Sequence, residues 1–214
     1  MAVAAAEQCG RTRVPEVASA LPLTQALQKA GVGAGSRVLV IGAGGGVGSF
    51  AVQIAVAMGA VVTGVSSAAK ASQVRELGAS DVIDYARQEI DRDGAVYDAI
   101  IDTAGNRKVS LLRSALKPGG TLVIVGGESA GGALLGGFQR ALLLPLRSPF
   151  ARSHTLVGLI STESAESYTE LARLADAGQL RPLIGATYPL AQAADAVRAV
   201  STGHATGKVV VTVA

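Results

Sequence analysis

Arg37-Val38-Leu39-Val40-Ile41-Gly42-Ala43-Gly44-Gly45-Gly46-Val47-Gly48 is the stretch whose reading decides the fold. An apolar, largely β-branched run stops at a glycine cluster, and an amphipathic helical pattern over residues 49–58 starts directly after it. Strand, glycine turn and helix in that order make a phosphate site. Glycines let the backbone turn tightly and approach a pyrophosphate, while the first-turn N–H groups of the helix, lacking intrahelical acceptors, point at the anion. The spacing is Gly42-x-x-Gly45-x-x-Gly48, with Ala43 where the strict dinucleotide fingerprint ending at Gly48 would place its first glycine. Gly45 keeps the task of close approach to phosphate and Gly48 that of close helix–strand packing; Ala43 is tolerable at negative φ. The alternative is a glycine turn that only packs helix against strand.

Outward from this stretch the sequence alternates short apolar strands with helical patterns, as a parallel sheet requires. Residues 1–22 are Ala-rich with little periodicity, and residues 24–30 read as a short helix. Strands are expected at 37–41, 61–65, 81–84, 98–102, 121–125 and 155–160, with a helix carrying Leu111, Leu112, Ala115 and Leu116 before the fifth. Six strands with right-handed helical crossovers give an α/β fold, a doubly wound parallel sheet of order 3-2-1-4-5-6. Beyond it come an amphipathic helix over 163–177, another over 190–200, and a Val209-Val210-Val211-Thr212-Val213 strand with no evident partner. The division expected is a lead-in segment at 1–30, a dinucleotide-binding unit at 31–185 and a C-terminal helix and strand at 186–214.

Dinucleotide sites that prefer NAD place Asp or Glu at the end of the second strand to hold the ribose hydroxyls. Here that place reads Val65-Ser66-Ser67-Ala68-Ala69-Lys70. The carboxylate is missing, and two hydroxyls and a lysine suit an anionic 2′-phosphate, so NADP(H) is expected over NAD(H). Ser66 and Ser67 could also cap the next helix.

Composition excludes other classes. The chain has 214 residues, a net charge of +3 and 3% aromatics, with no long basic run, so no nucleic-acid partner is expected. A single cysteine, Cys9, rules out an internal disulfide or a cysteine-based zinc cage. The apolar stretch at 131–150 is interrupted by Arg140, Pro145 and Arg147 and never reaches the ~18 apolar residues of a membrane span. It reads as a cover for a pocket or a subunit contact. The start, Met1-Ala2-Val3-Ala4-Ala5-Ala6, lacks the basic flank of a secretory signal, and a cytoplasmic protein is expected.

The quoted glycine stretch, Ala51-Val52-Gln53-Ile54-Ala55, Glu76-Leu77-Gly78-Ala79, Val82-Ile83-Asp84-Tyr85 and Tyr97-Asp98 with Asp102 together resemble a known family. The likeness runs on through Leu116-Lys117-Pro118-Gly119-Gly120 and Gly203-His204-Ala205-Thr206-Gly207-Lys208-Val209-Val210. The chain is thus similar to the medium-chain dehydrogenase/reductase superfamily, in its zinc-independent quinone oxidoreductase-like branch. That resemblance implies reversible hydride transfer between NADP(H) and a carbonyl, alcohol, quinone or activated alkene. It implies that Gly42, Gly45, Gly46, Val47 and Gly48 meet the pyrophosphate. Ser66, Ser67, Lys70 and Tyr85 would surround the adenosine 2′-phosphate and adenine, and Thr103, Ala104, Gly126 and Gly127 would line the nicotinamide half. A homodimer through the sixth strand is a further expectation of the likeness. Tyr85 could instead be a packed residue after an edge strand.

Full-length members of that family begin with a GroES-like barrel that supplies most substrate contacts. No counterpart is expected here, and residues 188–214 resemble the family's return into that barrel. No catalytic residue is identified and no metal site is expected. His154 and His204 read as structural or exposed, and Asp102 reads as a loop-fixing acceptor rather than a base. Three readings stay open: an active NADPH-dependent reductase, a non-catalytic NADP(H)-binding module, and a truncated, inactive family member.

Overall fold

The computed structural model describes residues 21–125, 154–159 and 165–213. Cys9, Gly126, Gly127 and the 131–150 stretch lie outside the described residues. In chain order the elements are α1 (Leu21–Lys29), β1 (Arg37–Ile41), α2 (Gly48–Ala57), β2 (Val61–Ser66), α3 (Ala71–Glu76) and β3 (Asp81–Asp84). They continue with β4 (Tyr97–Asp102), α4 (Val109–Ser114), β5 (Leu116–Val125), β6 (Thr155–Leu159), α5 (Ala165–Asp176), β7 (Ile184–Pro189), α6 (Ala193–Ser201) and β8 (Lys208–Thr212).

The larger sheet has six strands in the order β3-β2-β1-β4-β5-β6, all pairs parallel, as the strand–helix alternation requires. Both faces are covered, so the strands read as continuous apolar runs. Strand periodicity sorts their side chains between two cores. Val38, Val40, Val62, Ala99, Ile101 and Val123 join one cluster with Leu23 and Leu27 of α1, Val52 of α2, Val74 of α3 and Leu174 of α5. Leu39, Ile41, Val65, Ile100, Leu122 and Ile124 join the other with Leu112 of α4 and Tyr97. The sheet order reverses between β1 and β4, which opens a crevice at the carboxyl ends of those strands.

Three expectations change. Helix α2 is not amphipathic: Gly48, Ser49, Ala51, Val52, Gln53, Ile54 and Ala55 are all buried. It lies against β1 and β2 on one side and α1 on another. The Gln53 amide, also buried, accepts from Arg181 N–H and donates to Arg181 C=O, both at 2.9 Å, which satisfies it inside the protein. Helix α4 ends at Ser114, and Leu116 already pairs with Tyr97 as the first residue of β5, ahead of a register shift between Tyr97 and Ala99. Finally, the C-terminal strand has a partner. β8 pairs in parallel with β7, which sequence patterning missed, in a separate two-stranded sheet. α6 packs on both strands. Among the described residues, no helix is long and apolar enough to cross a membrane.

Candidate functional site

The chain leaves β1 through Gly42, whose φ of +80° favours glycine. Its N–H and that of Ala43 both donate to Val65 C=O at the end of β2, which ties the turn to the neighbouring strand. Gly45 N–H donates back to Gly42 C=O at 2.9 Å. A Cβ on Gly48 would overlap the Gly42 carbonyl oxygen, so the helix meets the turn at a distance only glycine permits. Among the described residues no backbone acceptor takes the N–H groups of Gly46, Val47 or Gly48 at the start of α2. The result, among the described residues, is a cluster of donors without backbone acceptors at the positive end of a helix.

Ser66, Ser67, Tyr85, Thr103 and Ala104, also expected from sequence, stand at or just after the carboxyl ends of β2, β3 and β4, each with a defined place. Thr103 donates its hydroxyl to Ile41 C=O at 2.7 Å and leans over Gly42, which leaves no room there for a Cβ. Ala104 N–H and Gly105 N–H both donate to Asp102 Oδ1, so Asp102 shapes the loop after β4. Ser66 is buried and spends its hydroxyl on Ser67 C=O, which turns it away from an incoming ligand. Ser67 stands ahead of a short 3₁₀ turn, Ala68–Lys70, and makes no side-chain capping bond. Tyr85 is 53% exposed, not packed, and its N–H donates to Ser66 C=O, which brings it beside the end of β2.

Lys70 crosses the turn. Its stem lies over Gly44, with Cδ 2.8 Å from where a Cβ on Gly44 would stand, and its ammonium donates to Ala205 C=O at 2.8 Å. Burial lowers its pKa below the ordinary lysine value. Sequence reasoning missed that the C-terminal chain reaches the glycine turn. Gly207 N–H donates to Gly44 C=O at 2.9 Å. Lys208 places Nζ 3.2 Å from the Cβ position of Gly46 and 5.7 Å from the Phe50 ring centre. Desolvation lowers the Lys208 pKa as well. The available signal was the glycine run itself: the spacing of the fingerprint accounts for Gly45 and Gly48, and nothing in it accounts for Gly44.

Both histidines lie beside backbone carbonyls. His154 Nε2 lies 3.4 Å from Leu116 C=O, and exposed His204 has Nδ1 2.7 Å from Thr202 C=O. Among the described residues, no three His, Cys, Asp or Glu side chains come together as metal ligands.

Known proteins share this architecture. A family model described as zinc-binding dehydrogenase matches residues 77–211. The mitochondrial NAD(P)H oxidoreductase RTN4IP1 of Mus musculus is 34% identical over 194 residues, covering 84% of this chain and 48% of that protein. A chloroplast envelope quinone oxidoreductase homolog of Arabidopsis thaliana is 30% identical, covering 85% of this chain and 54% of that one. The quinone oxidoreductase structure from Coxiella burnetii superposes with a TM-score of 0.76 at 28% identity, covering 92% of this chain and 59% of that one. The chain thus spans about half the length of the curated relatives it matches. No zinc ligand set accompanies the match among the described residues. Fold, glycine turn and family match together place the chain in the zinc-binding dehydrogenase family, among the quinone oxidoreductase-like medium-chain dehydrogenase/reductases.

Proposed function

We propose that the chain is an oxidoreductase that transfers a hydride between NADP(H) and a carbonyl, quinone or activated alkene. The observation that carries the reading is the glycine turn: among the described residues the amides of Gly46, Val47 and Gly48 have no backbone acceptor, the Lys70 stem lies over Gly44, and the Lys208 ammonium stands near Gly46. The amides and Lys208 take the pyrophosphate. Lys70 and the Ser67 hydroxyl take the 2′-phosphate, with Tyr85 at the adenine and Thr103 and Ala104 toward the nicotinamide. Gly42 shapes the turn, and Gly126 and Gly127 keep the nicotinamide role the resemblance implies. When bound, the nicotinamide supplies or accepts the hydride. This chain's part is to fix the phosphates and hold the β4 loop through Asp102.

Titration with NADPH and NADH tests the reading. Lys70→Ala and Ser67→Asp should each weaken NADPH about tenfold or more while changing NADH far less, because a hydrogen bond to a charged group contributes about 1.5–3 kcal/mol. Equal losses for both cofactors would sink the NADP(H) assignment. Binding of neither would sink the site.

A second reading, a non-catalytic NADP(H)-binding module, draws on a specific observation: Asp102 Oδ1 is taken by the backbone of its own loop and His204 Nδ1 by Thr202 C=O, which gives both residues a structural task. NADPH binding without turnover of any quinone, enone or aldehyde would favour it. Homodimerisation through β6, an edge strand of the large sheet among the described residues, and a cytoplasmic location belong to the proposal too. The relatives named above carry mitochondrial and chloroplast-envelope names.

A further inference from the structure

The segment at 204–208 is more than a connection between α6 and β8. It is braced at one end, where His204 Nδ1 approaches Thr202 C=O, and anchored at the other, where Lys208 N–H donates to Leu183 C=O at 2.7 Å. Between these points it touches the glycine turn through Gly207 N–H on Gly44 C=O, and the lysine that crosses that turn through Ala205 C=O on the Lys70 ammonium. Gly207 has a φ of +55°, and a Cβ there would overlap the Leu183 carbonyl oxygen, so the backbone path is narrowly fixed.

We infer that residues 204–208 form a strap that positions Lys70 for a 2′-phosphate, so that a 2′-phosphorylated ligand and the strap stabilise each other across the glycine turn. The inference rests on Lys70 being the 2′-phosphate cation. A free lysine loses rotamer freedom when it fixes a phosphate. Here Ala205 already holds the ammonium, and the stem is laid along Gly44, so much of that loss precedes ligand binding. An ammonium carries three donors; Ala205 takes one, which leaves two for an anion. By linkage, whatever the strap gives to phosphate binding, the phosphate returns to the strap. A ribose hydroxyl offers no charge to Lys70 and leaves the strap as it was. Ala205 acts only through Lys70 and is a positioning residue.

The test is amide hydrogen exchange on the full chain, read at residues 202–210 and at the Gly207 N–H, with saturating adenosine 2′,5′-bisphosphate or 5′-AMP. The bisphosphate should slow exchange about fivefold or more, the lower end of ordinary site-to-site coupling, and 5′-AMP should change it little. Equal slowing by both, no slowing by bound bisphosphate, or faster exchange overturns the strap while leaving the cofactor reading intact. Failure of the bisphosphate to bind, read by thermal shift, removes the 2′-phosphate reading and the strap with it. A second arm needs no ligand: Lys70→Met should quicken exchange at 202–210 in the free protein with the melting temperature retained. Unchanged exchange in that variant overturns the proposal.

Discussion

Gly44, Gly45 and Gly46 are consecutive, yet each is kept small by a different neighbour: the Lys70 stem, the Gly42 carbonyl, and the Gly207–Lys208 backbone and ammonium. This predicts unequal costs within one turn. Gly48→Ala drives a methyl into a backbone carbonyl that cannot move without breaking the turn, and should destabilise by about 2–3 kcal/mol, as overpacking at rigid sites does. Gly44→Ala meets mainly a flexible lysine stem, so it should cost less than about 1 kcal/mol while eroding preference for NADPH. Urea denaturation and cofactor titration on the two variants separate these outcomes; equal destabilisation would contradict the assignment of neighbours. Gly45 and Gly48 were legible in the sequence because their neighbours are local. The approach of Lys70 to Gly44 and of Lys208 to Gly46 was not, because those lysines arrive from other elements. Ser66 shows the opposite limit: residue type suggested a ligand hydroxyl, but its place inside β2 points that hydroxyl at Ser67 C=O.

At the scale of elements, strand positions followed from short continuous apolar runs, since each strand of a covered parallel sheet is apolar on both faces, and strand order followed from right-handed helical crossovers between them. β7 escaped because Gly185, Ala186 and Pro189 dilute its pattern, and because its pairing with β8 depends on a chain return that periodicity does not encode. Gly185 itself is forced: a Cβ there would overlap the Thr206 carbonyl oxygen. Helix α2 was placed correctly but misjudged in character, since nothing local announces that Gln53 reaches Arg181. That amide is the main polar tie between α2 and the approach to β7. Gln53→Ala should cost about 1–3 kcal/mol, because it strands the Arg181 N–H and C=O. Hydrogen exchange should rise first over residues 180–189. A rise spread evenly across the large sheet would show that the tie is not local.

For the molecule as a whole, the half-buried Lys70 and Lys208 oppose stability and ligand affinity to each other as pH changes. Lys70 and Lys208 have folded pKa values lowered by desolvation, so the folded chain binds fewer protons than the unfolded one between those values and about 10.4. Their cost to stability is present below the lowered values and is relieved as pH rises toward the unfolded value. Affinity for a phosphate should move the other way, falling as each ammonium loses its proton. NADPH titrations across the alkaline range should show this decline, and Lys208→Met should flatten it; a decline of the same steepness in the variant would exclude Lys208 as its source. On the acid side, burial of Asp98 works to raise its pKa, but the Lys117 ammonium and the Arg37 N–H, each at 2.8 Å, outweigh it and hold it below the usual range. Its contribution is therefore present above the unfolded pKa and lost as pH falls through the folded one. One last feature bears on time rather than energy. Lys70 and Ala205 are 135 positions apart. At a synthesis rate of about 5–20 residues per second, the glycine turn leaves the ribosome roughly ten to thirty seconds before the residues that clamp it. The sheet can assemble around an open turn during that interval, and the clamp is the last part of the site to close.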